Sequence, residues 1–290
     1  MSAQGLTLVL ASALVHAIWN LLAKSADDKR AFFWLALLAS LLLYLPVLLW
    51  AAPRLPFQWA GWPYVVATGL LHAAYFLSLG RAYSLGELSL VYPLARGTSP
   101  LLVAVGAVLV LGERPSGQGA LGILLVVGGA FLLHAPGFSL ARWLEALRQA
   151  GGPASRWALL TGLTTAAYSL VDKVGVSLVH PFLYIYFMFL LSALAMAPLA
   201  LGGWREALRR EWRERAPRVA AVGLMWLGGY GLALAAMRTD PVSYVVAARH
   251  VSIVFGAALG VLVLKEGHAL SRLCASALLA VGVGLIGLAR

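Results

Sequence analysis

The chain has 290 residues, 61 % hydrophobic and 11 % charged, with a mean hydropathy of +0.86. A soluble domain carries roughly a quarter charged residues, so this composition excludes one and specifies an integral membrane protein. The formal charge of +11 does not mark a nucleic-acid partner, because the arginines gather in two short loops; they read as a topology signal and a lipid-facing collar.

Apolar windows bounded by charge, Pro or Gly predict ten helices, at 4–24, 31–52, 61–83, 87–111, 117–135, 155–179, 181–203, 217–238, 241–264 and 269–289. The first reads as a mature transmembrane helix, since Met1 to Gln4 carries no basic n-region and the run holds His16, Asn20 and Lys24. Between the fifth and sixth, Leu140, Trp143, Leu144 and Leu147 recur at the spacing of one apolar helical face, predicting a short helix on the membrane surface. The loop before the eighth repeats the device, with Trp204, Leu208 and Trp212 on one side and Arg205, Arg209, Arg210, Arg213 and Arg215 elsewhere. The single cysteine, Cys274, can form no internal disulfide. Glycines through the fifth and tenth helices (Gly119, Gly122, Gly128, Gly129; Gly282, Gly284, Gly287) allow close helix contact or a dimer face, so the chain is expected as a monomer or homodimer.

The chain contains itself twice. With one constant offset, Ala95, Arg96, Ser99, Ala104, Val108, Val110, Leu111 and Glu113 meet Ala248, Arg249, Ser252, Ala257, Val261, Val263, Leu264 and Glu266. The organisation that follows is a five-helix repeat over 1–135, an interfacial linker over 136–154 and a second five-helix repeat over 155–290. An odd number of helices per repeat inverts the second copy in the membrane, which suits alternating access around a site at the repeat interface. The loops after helices 1, 5, 7 and 9 hold most of the Lys and Arg, so the positive-inside rule puts both termini on one side, outside.

The duplicated arginines, Arg96 and Arg249, each lie about ten residues into an apolar run, where a charge costs roughly 2.5 to 3.5 kcal/mol. They are expected to bind substrate. Pro93, Gly97 and Pro100 should loosen the backbone around Arg96, as in a discontinuous helix that offers free polar groups to a ligand. A second duplication runs every fourth residue: Ser12, His16, Asn20 and Lys24 on the first helix, and Thr161, Thr165, Ser169 and Lys173 on the sixth, with Trp19 and Tyr168 matching beside them. These stripes are expected to stay turned inward and line a wet cavity. His72, Tyr75, Trp226, Tyr230 and His250 add aromatic and imidazole surface to it. Asp172 is the lone acid well inside an apolar run, and is expected either to carry a proton or to form an internal ion pair with Lys173 or Arg249; Lys24 belongs to the same group of charges. Glu113 and Glu266 are expected to cap the helix that follows each of them.

Ten helices in two copies, the run H-A-I-W-N-L-L-A-K from His16 to Lys24, and the endings L-G-E and L-K-E of the fourth and ninth helices resemble the EamA-type transporters of the drug/metabolite transporter superfamily. The resemblance covers essentially the whole chain. It implies an all-α membrane bundle in which helices 1, 3, 4, 6, 8 and 9 line a central cavity while 5 and 10 stand outside. It implies a transporter of small solutes and does not name one. The H-A-x-W-N stretch is similar to a bacterial subgroup associated with phosphonate use, implying a bacterial inner (plasma) membrane. Small four-helix relatives that expel cationic drugs carry a glutamate on the first helix; His16, Asn20 and Lys24 stand there instead, against cation export.

The expectation is a secondary transporter of a small anionic or zwitterionic metabolite, with a flippase for a polyprenyl-phosphate-linked sugar as the alternative. An intramembrane enzyme is disfavoured, because paired membrane acids and a G-x-S-x-G elbow are both missing from the sequence. No cofactor, metal ligand set or catalytic residue is called for.

Overall fold

The computed structural model describes residues 1–85, 88–134, 151–256, 258 and 270–289. Within them the chain forms ten α-helices: α1 Ala3–Ala23, α2 Lys29–Ala51, α3 Trp62–Leu85, α4 Leu88–Leu111, α5 Gly117–His134, α6 Pro153–Leu178, α7 Pro181–Gly203, α8 Arg205–Thr239, α9 Val242–Arg249 and α10 Leu270–Leu288. By length and composition, six spans of the described residues are apolar enough to cross a membrane, among them α1, α2, α7 and α8. The predicted surface helix over 140–147, Glu266 and most of the ninth helix beyond residue 256 lie outside the described residues.

Local chemistry starts and stops these helices. Ser2 caps α1 by accepting from the Gly5 N–H, and Asp28 caps α2 by accepting from the N–H groups of Arg30 and Ala31. Pro153 and Pro181 open α6 and α7, where a missing N–H costs nothing. The α4 helix ends at Gly112, whose φ of +68° is a conformation glycine adopts without strain. That reversal lets the Glu113 N–H return to the Ala107 carbonyl at 3.0 Å.

Packing follows an inverted pseudo-two-fold. The α1–α8 contact is matched by α6–α3, α2–α8 by α7–α3, and α1–α9 by α6–α4, while α5 packs on α10 across the axis. Each repeat therefore completes the core of the other. The glycines at the α5–α10 crossing permit it: a Cβ on Gly122 would sit 2.7 Å from the Gly282 carbonyl, and one on Gly129 2.9 Å from the Ala275 carbonyl. These serve contact within the chain, whereas Gly128 and Gly284 have open space around them.

Both termini lie at one end, where the Met1 amino group donates to the Ala289 carbonyl at 2.6 Å. The same end is tied across the repeats by a short pairing of Phe57 with Val179 and by the His180 N–H donating to the Pro56 carbonyl at 3.0 Å. The amphipathic segment before the eighth crossing is continuous with it, forming the first part of α8 with a break at Arg215 (φ −136°, ψ 18°), two residues before Pro217. Trp204 and Leu208 are buried, but Trp212 is 51 % exposed and its place is taken by Glu211. The reason is geometric: residues four apart turn about 40° per step around a helix, so the third member of such a series leaves the buried face. Glu211 accepts from the N–H groups of Asp27 and Asp28 at 2.7 and 2.8 Å and fixes the α1–α2 turn to α8.

Candidate functional site

A cavity of about 80 Å³ lies where the repeats meet. It is lined by His16 and Trp19 of α1, His72, Tyr75 and Phe76 of α3, Arg96 and Ser99 of α4, Thr161, Thr165, Tyr168 and Ser169 of α6, Trp226 and Tyr230 of α8, and Arg249 of α9 with His250 just beyond it. Phe189 of α7 joins them, and α5 and α10 supply none of the described lining. The two arginines, three histidines and five aromatics expected from the sequence thus meet in one place.

The polar stripes do not all reach it. Asn20 turns its amide back onto the His16 carbonyl at 2.7 Å, and Lys24 is an exposed helix-end residue. Lys173 donates to the carbonyls of Met237 and Asp240 at 2.6 and 2.9 Å, at the terminal end of the bundle. The expectation that the stripes stay inward fails because 40° per step becomes about 120° over three steps, which carries each lysine to another face.

His16 stands between the two arginines, with Nε2 against Arg96 and Nδ1 3.4 Å from Arg249. A guanidinium has only donors and a neutral imidazole has one bare nitrogen, so only one of these contacts can be a hydrogen bond; the closer approach of Arg96 assigns Nε2 as the acceptor and leaves the proton on Nδ1. Neutral His16 therefore satisfies Arg96 and offers Arg249 nothing to donate to. Arg249 instead donates from Nε to the Ser12 hydroxyl at 3.1 Å and lays its guanidinium over the Tyr230 ring, 4.8 Å from the centroid. Ser12 is itself fixed by donating to the Gly229 carbonyl at 2.6 Å.

Asp172 makes no ion pair with Lys173 or Arg249, contrary to one of the two expectations. Its buried carboxylate accepts from three hydroxyls: Thr68 at 2.5 Å, Tyr230 at 2.5 Å and Tyr184 at 2.9 Å. Hydroxyl donors meet a carboxylate's acceptor demand without a second charge, so no basic partner is needed. His72 joins through Thr68, its Nδ1 lying 2.9 Å from the Thr68 carbonyl, and its ring stacks on Tyr168 at 3.9 Å. The carboxylate is therefore not in the cavity lining; it stands behind Tyr230 and orients the ring that carries Arg249. Thr68 was discoverable as the residue one turn before His72. Tyr184 was not, because only the tertiary packing of α7 brings it there.

The backbone at the two arginines differs. The α4 helix is continuous past Arg96, so the expected discontinuity is not there. Pro100 lacks the N–H that would bond the Arg96 carbonyl, and that oxygen accepts instead from Ser99 Oγ at 3.2 Å and lies 3.0 Å from His250 Nε2. The break falls in the second copy, where α9 stops at Arg249 and the next N–H groups make shorter-range turns. There the His250 ring lies between two carbonyls, with Nδ1 2.8 Å from Val246 and Nε2 3.0 Å from Arg96; a neutral imidazole has one N–H and can donate to one of them, while the backbone N–H of His250 goes to Ala247.

Glu113 caps a helix, but not α5, which follows it. It accepts from the N–H groups of Val242 and Ser243 at 2.7 and 3.2 Å and from the Ser243 hydroxyl at 2.6 Å, closing the start of α9 in the other repeat. The turn at Gly112 directs it there.

This fold and cavity can be set beside known proteins. The EamA-like transporter family matches residues 3–135 and again residues 153–288. The chain belongs to the EamA-like transporter family. A solved crystal structure resembles it at 16 % identity over 99 % of this chain and 98 % of that one, with a TM-score of 0.76, a likeness of fold alone. No curated protein matches the sequence. As an EamA-like protein it is a multi-pass membrane protein of two inverted five-helix repeats, and members of the family are transporters rather than enzymes.

Proposed function

We propose that this EamA-like protein is a secondary transporter of a small anionic or zwitterionic metabolite bearing a carboxylate or phosphoryl group. One observation carries the reading: the described lining holds two arginines and three histidines and no carboxylate. A buried arginine costs several kcal/mol unless something compensates it, and an anion would do so through charge-assisted hydrogen bonds. Arg249 has donors to spare once Ser12 and the Tyr230 face are counted, and Arg96 approaches from the opposite repeat, so the two form a clamp across the pseudo-two-fold. His16, Trp19, His72, Tyr75, Tyr168, Ser169, Tyr230 and His250 surround the solute, and Asp172, His16 and His72 are the groups able to carry a coupled proton. Rocking of the repeats would expose the clamp to each side in turn, with the termini outside.

Cavity size favours a metabolite over a lipid-linked sugar. At roughly 10–15 Å³ per water, about 80 Å³ holds on the order of six waters, the space of a small solute and not of a sugar on a polyprenyl diphosphate. The test is thermal stability of the purified protein against panels of anionic, zwitterionic and cationic metabolites. A ligand at 100 times its Kd adds roughly 2.7 kcal/mol. Stabilisation by one anionic class, lost in Arg96→Gln, is expected; stabilisation by cations alone, or by polyprenyl phosphates alone, would overturn the reading.

A further inference from the structure

A second and larger cavity, about 530 Å³, opens at the terminal end between α1, α2, α7 and α8. Its walls are apolar, built from Leu8, Phe182, Ile185 and Leu227. Its floor is Gly231, beside which an added Cβ would meet nothing within 4 Å. Leu227 to Arg238 spans eleven residues of α8, about 16 Å at 1.5 Å per residue. That is half of a hydrocarbon core about 30 Å thick, the depth of one leaflet. The cleft is separate from the cavity described above, because Trp226 and Tyr230 face that one while Leu227 and Gly231, one residue on and so about 100° around α8, face this one.

The mouth is basic. Arg238 is exposed there and makes no hydrogen bond or ion pair with a described residue. The nearby acid, Asp240, is already engaged by the Ser2 N–H at 2.5 Å, the Ser2 hydroxyl at 2.7 Å and the Thr239 hydroxyl at 3.0 Å. His180 uses Nδ1 to accept from the Phe182 N–H at 3.2 Å, so its neutral ring presents Nε2–H as a donor at the start of α7, where the helix dipole is positive. Burial, and then the charge of Arg238, hold His180 below the usual histidine range.

We propose that this cleft binds an anionic membrane phospholipid, with one acyl chain lying on Gly231 between α1, α2, α7 and α8 and the phosphate received by Arg238 and His180. The match is one of both depth and charge: an apolar slot one leaflet deep ends in two donors and a helix N-terminus at headgroup level.

The test is native mass spectrometry of the protein released from nanodiscs of equal phosphatidylglycerol and phosphatidylcholine, counting retained lipids. The wild type is expected to retain phosphatidylglycerol preferentially. Arg238→Gln, at an exposed position that folding tolerates, should lower that preference roughly fivefold, the factor carried by one basic side chain near an anionic surface. Gly231→Leu fills the floor and should abolish retention of both lipids while the thermal melt remains cooperative. Unchanged preference in Arg238→Gln would overturn the proposal, as would equal retention of the two lipids by the wild type. Inorganic phosphate displacing the retained lipid headgroup for headgroup, with Gly231→Leu without effect, would equally overturn it, since the site would then be an anion site without a chain slot.

Discussion

Replacing Arg249 by Gln separates a binding arginine from a structural one, because the first role predicts little change in the free protein and the second a large loss of stability. In the free protein the substitution removes a buried charge whose insertion costs roughly 2.5 to 3.5 kcal/mol. It also removes the bond to Ser12, worth about 1.5–3 kcal/mol for a charged donor, and the contact with the Tyr230 ring, worth about 0.5–2 kcal/mol. These nearly cancel. No described carboxylate is orphaned, Ser12 keeps its bond to the Gly229 carbonyl, and His16 keeps Arg96. The stability of the ligand-free variant should therefore lie within about 2 kcal/mol of wild type. Ligand binding should behave otherwise: losing one charge-assisted hydrogen bond of about 1.5–3 kcal/mol raises Kd roughly 10- to 150-fold. The assay is denaturant unfolding in detergent beside isothermal titration with the stabilising anion. A variant that unfolds several kcal/mol more easily yet binds the anion with unchanged affinity would refute the argument and make Arg249 a packing residue.

Asp172→Ala should be costly, since it leaves the hydroxyls of Thr68, Tyr184 and Tyr230 buried without their acceptor at about 1–3 kcal/mol each; Asp172→Asn, which keeps an acceptor oxygen, should lose much less in the same unfolding assay. Glu113→Ala should lower stability by about 1–2 kcal/mol through loss of the α9 cap, and Glu113→Gln by about half as much, read from the denaturation midpoint. Gly122→Val forces a branched side chain against the Gly282 carbonyl and should cost about 1–3 kcal/mol, whereas Gly128→Ala, in open space, should be neutral or slightly stabilising. Asp28 gives a pH effect: although burial pushes its carboxyl up, the hydrogen bond from Arg30 and those from the Ala31 and Arg30 N–H groups outweigh it and hold the group below its ordinary value of 3.8. That stabilisation is complete above the ordinary value and is lost as pH falls through the lowered one, so Asp28→Asn should flatten the acid limb of the stability profile below about pH 4.

The helices were legible because a membrane span must be long and apolar, and their pairing because the same motif occurs twice. Arg96 and Arg249 were legible for a related reason, since a costly group repeated at matching positions is hard to explain by packing, and His16 and Tyr168 were legible from the two matching stripes. What escaped the sequence is what depends on distance between chain segments. The partners of Asp172 are neutral hydroxyls on α3, α7 and α8, and a search for opposite charge passes over them. Glu113 caps a helix about 130 residues away, because Gly112 turns it there. The stripes on α1 and α6 failed for a local reason, the drift of every-fourth spacing, which was calculable from the sequence. That arithmetic alone could have put Lys24 and Lys173 on another face of their helices.

The two copies of A-R-x-x-S differ in conformation although their sequences agree, and the difference bears on how such a molecule works. Arg96 sits in a continuous helix with its carbonyl released by Pro100; Arg249 sits at a helix end, with the His250 ring against the Val246 carbonyl. The His250 Nε2 contact with the Arg96 carbonyl joins the two across the repeats. An inverted repeat in which both copies had the same conformation would have two equivalent ends. Here the terminal end is tied by Ser2 to Asp240, by Lys173 to the Met237 and Asp240 carbonyls, and by Glu113 to α9, so the helix that carries the second copy's arginine is held from the terminal end. Loosening those ties would free α9 to adopt the unbroken form that α4 already shows, and the His250 bridge would then have to be remade. Substituting His250 by Phe removes the bridge and the side-chain claim on the Val246 carbonyl together. The expected outcome is a continuous α9, detected as a shortened spin-label distance distribution between positions 246 and 254, and an unchanged distribution would show that the break is set by packing instead.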